Sequence, residues 1–280
     1  MKRTTTLIAA LSAVAGAAYG LIGGTATATS TRAASSLPTV SIAMNGKTIA
    51  VSGTLVSGAV NIASTVTNER LGEPTLVRLN PGVSYAQAAA GIGQTPDPNA
   101  VTPYGSIVFN TLAPQGVSSG QTTLQPGNYF ALDTGKGRPP FPVTAFTITQ
   151  APAPAALPPD NATQTAIDFA LRGPTVLHDG TIVRAINNGW LVHMIAGNGV
   201  RNAAAGRNVI ALLRAGHDRQ AQRLETHASF LLALPISHGA VQQTILNANP
   251  GYYVETCPMD TQDGREQTQL GMLRLIRVVK

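Results

Sequence analysis

The chain reads as an all-β protein, two β-sandwiches in tandem with short helical insertions, and three observations point there. Short apolar runs separated by Gly, Pro, Asn and Ser turns recur along residues 39–150 and again along 161–280, the spacing of sandwich strands. The two stretches repeat one another in order. Charged residues make up 11% of the chain, against about a quarter in ordinary domains, while small, β-branched and turn residues abound.

The first 28 residues carry a targeting pattern. A basic start, Met1-Lys2-Arg3, precedes an uncharged run from residue 7 to 24 and an Ala26-Thr27-Ala28 cleavage signal, which together read as a secretory signal peptide. Gly16, Gly20, Gly23 and Gly24 make that run a poor permanent anchor. No later stretch approaches the eighteen or so apolar residues a span needs, and no Cys follows the signal to take a lipid. The protein is therefore expected outside the cell or in the cell envelope, with no membrane span after cleavage.

In the first unit, residues 38–150, strands are expected at 40–44, 48–51, 60–66, 75–79, 107–112, 121–124, 129–132 and 146–148, with a helical turn at 85–90. Residues 151–160 hold four prolines between Ala151 and Pro159, a stiff extended linker at which the domain boundary is placed. The second unit, 161–280, has expected strands at 165–171, 182–187, 191–195, 229–234, 242–246, 252–256 and 273–279. Val209, Ile210, Leu212 and Leu213 recur at helical spacing, so a helix is expected at 208–214. Residues 58–68 with 75–78 parallel 180–188 with 190–193, and 114–116 through 122–129 parallel 235 through 243–246 with 250–253. That alignment sets Arg78 in the place of His193 and Asp133 in the place of Cys257, which leaves the first unit without metal ligands.

Cys257 is the only cysteine. It cannot form an internal disulfide, so it is buried and inert, reactive, or a metal ligand. It follows the strand expected at 252–256, and a polar loop then leads to Met272 and the last strand. This stretch resembles the copper loop of the cupredoxins, a family in which the loop between the last two strands supplies Cys, His and Met and an earlier strand supplies a second His. The resemblance implies tandem cupredoxin-like Greek-key sandwiches, with Cys257 as thiolate, Met272 as axial thioether and His193, in Asn187-Asn188-Gly189-Trp190-Leu191-Val192-His193, as the early imidazole. The loop His is missing. Where it should stand the chain has Glu266, Gln267, Thr268 and Gln269, so Gln267 or Gln269 is the substitute to consider, and Met259 lies two residues past the thiol. His193, Cys257, Met259 and Met272 make a soft set that prefers Cu(I).

Other function classes find little in the sequence. Without Lys2 and Arg3 the net charge is about +4 and spread over both halves, and the arginines at 201, 207, 214, 219 and 223 are interleaved with acids, unlike a nucleic-acid interface. There is no H-E-x-x-H or phosphate loop and no His-x-His pair, and a Cys257–His193 nucleophile pair has no third group to orient it. The expectation is a chain that is not an enzyme, with either no cofactor or copper. Two readings stand: a binding or structural protein with a decayed copper site and an unidentified protein or envelope partner, or a copper protein for electron transfer or Cu(I) binding.

Overall fold

A computed structural model describes residues 37–280; the signal peptide expected at 1–28 lies outside the described residues. From the N-terminal side come β1 (Thr39–Met44), β2 (Ile49–Gly53), β3 (Gly58–Gly72), β4 (Pro74–Leu79) and helix α1 (Tyr85–Gly91). Then follow β5 (Gly105–Asn110), β6 (Ala113–Leu124), β7 (Gly127–Asp133) and β8 (Val143–Ile148). The second half has β9 (Ala162–Ile167), β10 (Ala170–Arg172), β11 (Val176–His178), β12 (Ile182–Asn187) and β13 (His193–Val200). Helices α2 (Ala203–Arg214) and α3 (Asp218–Gln222) lead to β14 (Glu225–Ile236), β15 (Val241–Ile245), β16 (Gly251–Thr256) and β17 (Leu273–Val279).

These strands form three sheets, ordered β10-β9-β12-β15-β6-β3-β1-β2, β5-β4-β7-β8 and β11-β17-β16-β13-β14. Strand alternation builds the cores. Val40, Ile42, Val60 and Ile62 of the long sheet pack with Leu76, Phe109, Tyr129 and Ala131 of the four-stranded sheet. Ala166, Val183 and Ala185 pack with Ile195, Leu232, Leu234, Tyr253 and Ile276 in the second half. Each Val, Leu, Ile or Phe among them contributes about 1.5–3 kcal/mol on burial.

The internal repeat holds for every strand but β11, which the second half adds at the edge of its sheet. β1 runs parallel to β3 as β9 does to β12; β4 lies between β5 and β7 as β13 lies between β14 and β16. Two buried tyrosines mark equivalent points: the Tyr129 hydroxyl donates to Gln125 O (2.8 Å) and the Tyr253 hydroxyl to Asn249 O (2.6 Å), each four residues back. These tyrosines correct one expected equivalence. Tyr129 pairs with Arg78 whereas Tyr253 pairs with Gly199, so Arg78 matches Gly199, and the place of His193 in the first half is taken by Gly72. Asp133 does match Cys257, since both stand four residues past the tyrosine. Sequence alignment slipped because both strand starts are apolar runs with a basic residue at the fourth position.

The halves are joined in one sheet. β6 and β15 pair through Gln121 and Thr122 with Gln243 and Gln242, and Thr122 Oγ1 donates to Val241 O at 2.7 Å. The proline-rich connector runs along both halves: Ala59 N donates to Ala155 O (2.9 Å) and Arg184 Nη2 to Pro158 O (3.1 Å).

Strands β6, β13 and β14 have other bounds than expected, β11 and α3 were not expected, and two further differences have a clear local cause. Helix α2 begins at Ala203 rather than 208, because Asn202 caps it by accepting from Ala205 N (2.9 Å). Gly206 brings its first turns close to β17, where a Cβ would stand 2.4 Å from Leu275. The strand expected at 165–171 is two strands, split at Asp168-Phe169, where Phe169 takes φ 64°. That turn proves central to the site.

Candidate metal centre

The site forms where β13 begins and β16 ends. Cys257 N donates to Met272 O (3.0 Å), which sets the two residues opposite each other just past the β16–β17 ladder. The loop between them folds back on itself: Gln267 N donates to Met259 O (2.8 Å) and Met272 N to Gln267 O (2.9 Å). Gln267 is thereby turned inward and fully buried, as are Cys257, Met272 and His193, all at 0% exposure. Met259 is buried in the same apolar cluster as Cys257 and Met272.

Three donor atoms converge. His193 Nδ1 lies 2.6 Å from Gln267 Oε1 and 3.9 Å from Cys257 Sγ, and the Cys257 thiol donates to Gln267 Oε1 at 3.2 Å. The Gln267 amide nitrogen donates to Val192 O (3.1 Å), which leaves its oxygen facing the thiol and the imidazole. Met194 N donates to the sulfur at 3.3 Å. The far side of the imidazole is held by Asp168, whose Oδ1 lies 2.9 Å from His193 Nε2 while its carboxylate also accepts from Trp190 N (3.0 Å) and Leu191 N (3.2 Å). Asp168 is the site residue that sequence reading missed; an acidic residue interrupting the apolar run 165–171 was its only signal.

Of the two glutamines considered, Gln267 is the one that meets His193 and Cys257. Gln269 is exposed and lies against Gly216, outside the site. His178 bonds Lys280 O, His238 bonds Gly189 O, and His217 and His227 are exposed on the surface; none joins the site.

The electrostatics fit a protonated thiol with a metal absent. Burial pushes the Cys257 thiol up to about 12, against smaller opposing effects of the Met194 and Met259 backbone N–H groups. Burial likewise pulls the His193 imidazole below its ordinary range, opposed by Asp168 and Gln267. Partial burial raises the Asp168 carboxyl, but the Trp190 and Leu191 N–H groups and His193 outweigh it, so the net direction is down. Both imidazole nitrogens face acceptor oxygens, and neutral imidazole has one proton for two of them. A cation at Nδ1 resolves this conflict, because Nε2–H then serves Asp168 and the Nδ1 lone pair serves the metal.

The spacing also suits a shared ion. Imidazole nitrogen and thiolate sulfur bound at about 2.0 and 2.3 Å from one ion stand roughly 3.5–3.8 Å apart, close to the 3.9 Å observed. Gln267 Oε1 is too near Nδ1, at 2.6 Å, for both to ligate as they stand, so to join a shared ion the amide would have to swing back by roughly half an ångström or more. His193, Cys257, Gln267 and the thioether of Met272 thus fit a soft copper ion. The same residues do not fit nucleophilic catalysis: Asp168 supplies the orienting third group, yet a sealed thiol pushed up to about 12 is the reverse of an activated thiolate.

At the equivalent point of the first half, Glu73 N donates to Asp133 Oδ1 (2.9 Å), as Met194 N does to Cys257. Neither thiol nor imidazole stands there. Instead burial, with neighbouring Asp133, raises the Glu69 carboxyl to about 7.

No protein-family model matches the chain, and no curated protein matches it. Among solved structures it is similar to reduced auracyanin from Roseiflexus castenholzii, at 13% identity and a TM-score of 0.26 over 42% of this chain and 95% of that one. It is also similar to a copper-containing nitrite reductase from Thermus scotoductus, at 12% identity and TM-score 0.26 over 86% of this chain and 68% of that one. A third is the copper nitrite reductase of Nitrosomonas europaea, at 10% identity and TM-score 0.23 over 86% and 93%. The expectation of a chain that is not an enzyme is withdrawn on this finding, because nitrite reductases are enzymes. At these identities and TM-scores the likenesses assign no activity to this chain. Its all-β sandwich architecture, in which the last two strands flank a Cys-to-Met loop, rests on the strand order above.

Proposed function

We propose that the chain is a cupredoxin-like copper-binding protein whose second sandwich holds one copper ion, preferentially Cu(I), through His193, Cys257 and Met272 with Gln267 in the place of the second imidazole. The observation that carries this is the convergence of His193 Nδ1, Cys257 Sγ and Gln267 Oε1 within 2.6–3.9 Å, with Asp168 holding the other face of the imidazole. Met259, buried in the same cluster, is the reserve thioether. We further read 38–150 as a unit without metal ligands, 161–280 as the metal-binding unit and 151–160 as their linker. The N-terminal pattern supports export to the cell envelope or beyond.

A strong blue Cu(II) centre depends on two imidazoles and a thiolate in one plane, and an amide is a poor substitute. Protein reconstituted with Cu(II) is therefore expected to lack the intense visible thiolate-to-copper band. Gln267→His is expected to produce it. An intense band at one copper per chain in the unmodified protein contradicts the Cu(I) preference.

One observation favours a second reading. Gln267 fills the space between the side chains, its oxygen accepting from the Cys257 thiol and its amide nitrogen donating to Val192 O, so the pocket is closed as it stands. On that reading the chain is a binding or structural protein with a decayed copper site.

A further inference from the structure

We propose that Trp190 is a stacking platform for a neutral pyranose unit of a polysaccharide. Trp190 is the only tryptophan in the chain and is 81% exposed, yet it is held rigidly. Its ring stacks on His238 with centroids 4.7 Å apart and planes within 11°. His238 Nδ1 is fixed in turn by Gly189 O (2.8 Å) and Trp190 N by Asp168 Oδ2 (3.0 Å). Gly189 N donates to Asn187 Oδ1 (2.9 Å), and a Cβ on Gly189 would meet Asp168 and His193 atoms at 2.4 Å, so the loop has little room to move. One indole face is covered by imidazole and the other faces water. A ligand that stacks there meets a preorganised surface and loses little to ordering.

The chemistry of the surroundings selects the ligand. The electron-rich open face attracts the polarised C–H groups on one side of a sugar ring. Asn188 and His238 are exposed beside it as hydrogen-bonding groups. The Asp168 carboxylate already has Trp190 N, Leu191 N and His193 Nε2 against it, which leaves about one lone pair, enough for a hydroxyl donor. A protein interface of ordinary size covers about 800 Å² per partner around apolar anchors. Here Phe169, next to Asp168, is the other large apolar side chain exposed on this loop pair.

Because Trp190 is the sole tryptophan, its emission reports this site directly. The full chain, treated with chelator so that the result is independent of copper, would be titrated, beside choline chloride and adenosine monophosphate as controls, with cellohexaose, chitohexaose, xylohexaose and mannohexaose. A saturable change in emission with at least one of them is expected. By calorimetry the association with that sugar should weaken about tenfold or more in Trp190→Ala and be largely kept in Trp190→Phe. His238→Ala, which removes the supporting ring, should fall between. No response to any of the four at millimolar concentration overturns the proposal, as does binding unchanged in Trp190→Ala or a response confined to choline chloride or adenosine monophosphate.

Discussion

Gln267 is the pivot of the proposed centre because a single amide oxygen contacts both the imidazole and the thiol. Its role was half legible in the sequence: the absent histidine was plain, but choosing between Gln267 and Gln269 required the fold-back that buries one and exposes the other. Cys257 makes a prediction at the same scale. Its folded thiol is pushed up to about 12, above the roughly 8.5 of an unfolded cysteine. The contribution of the protonated thiol to stability is therefore complete below about pH 8.5 and is lost as pH rises toward 12, by up to about 1.4 kcal/mol per pH unit. Between pH 7.5 and 9.5, metal-free protein should lose about 1 kcal/mol more stability to urea unfolding than Cys257→Ala does. Equal losses would mean that the thiol is not sealed. Metal binding must expel the same proton, so copper affinity should rise with pH over this range.

The β9–β10 hairpin carries Asp168 at its tip and is clamped at its base. Arg274 donates to Glu255 Oε2 (2.6 Å) and Gly173 O (2.8 Å) and also to Gln164 Oε1. Glu255 is fully buried, and burial raises its carboxyl despite Arg274. Glu255 and Arg274 are cross-strand partners, two residues inside Cys257 and Met272 respectively, so Arg274 ties the hairpin to both strands that flank the last loop. Removing one partner of such a pair leaves an uncompensated buried charge. Arg274→Met should cost about 3 kcal/mol in chemical unfolding, and adding Glu255→Leu should recover much of it. A loss under 1 kcal/mol in the single variant would contradict the clamp. None of this was visible in sequence, because the apolar period of 165–171 reads as one strand and hides the turn. The strands of the copper loop were legible for the opposite reason: turn residues and β-branched runs bracket them on both sides.

At the scale of the molecule, the repeat was read from sequence and the fusion of its halves was not. Periodicity identifies strands, whereas the β6–β15 pairing depends on which edges meet, and edge residues such as Thr122 and Gln243 carry no pattern for that. Since Thr122 bonds across the seam and Ile107 N donates to Ser237 Oγ (2.9 Å), the halves should lose structure together. Calorimetry of the chain is expected to give one cooperative transition. Two resolved transitions, or a fully folded fragment 38–150, would show independent units. The central claim concerns the second sandwich, where three side chains from β13 and the last loop meet around one point. Titration of Cu(I) against a competing chelator tests it most directly: the account predicts one tightly held Cu(I) per chain, lost in Cys257→Ser, and either no binding by the unmodified chain or equal binding by the variant would contradict it.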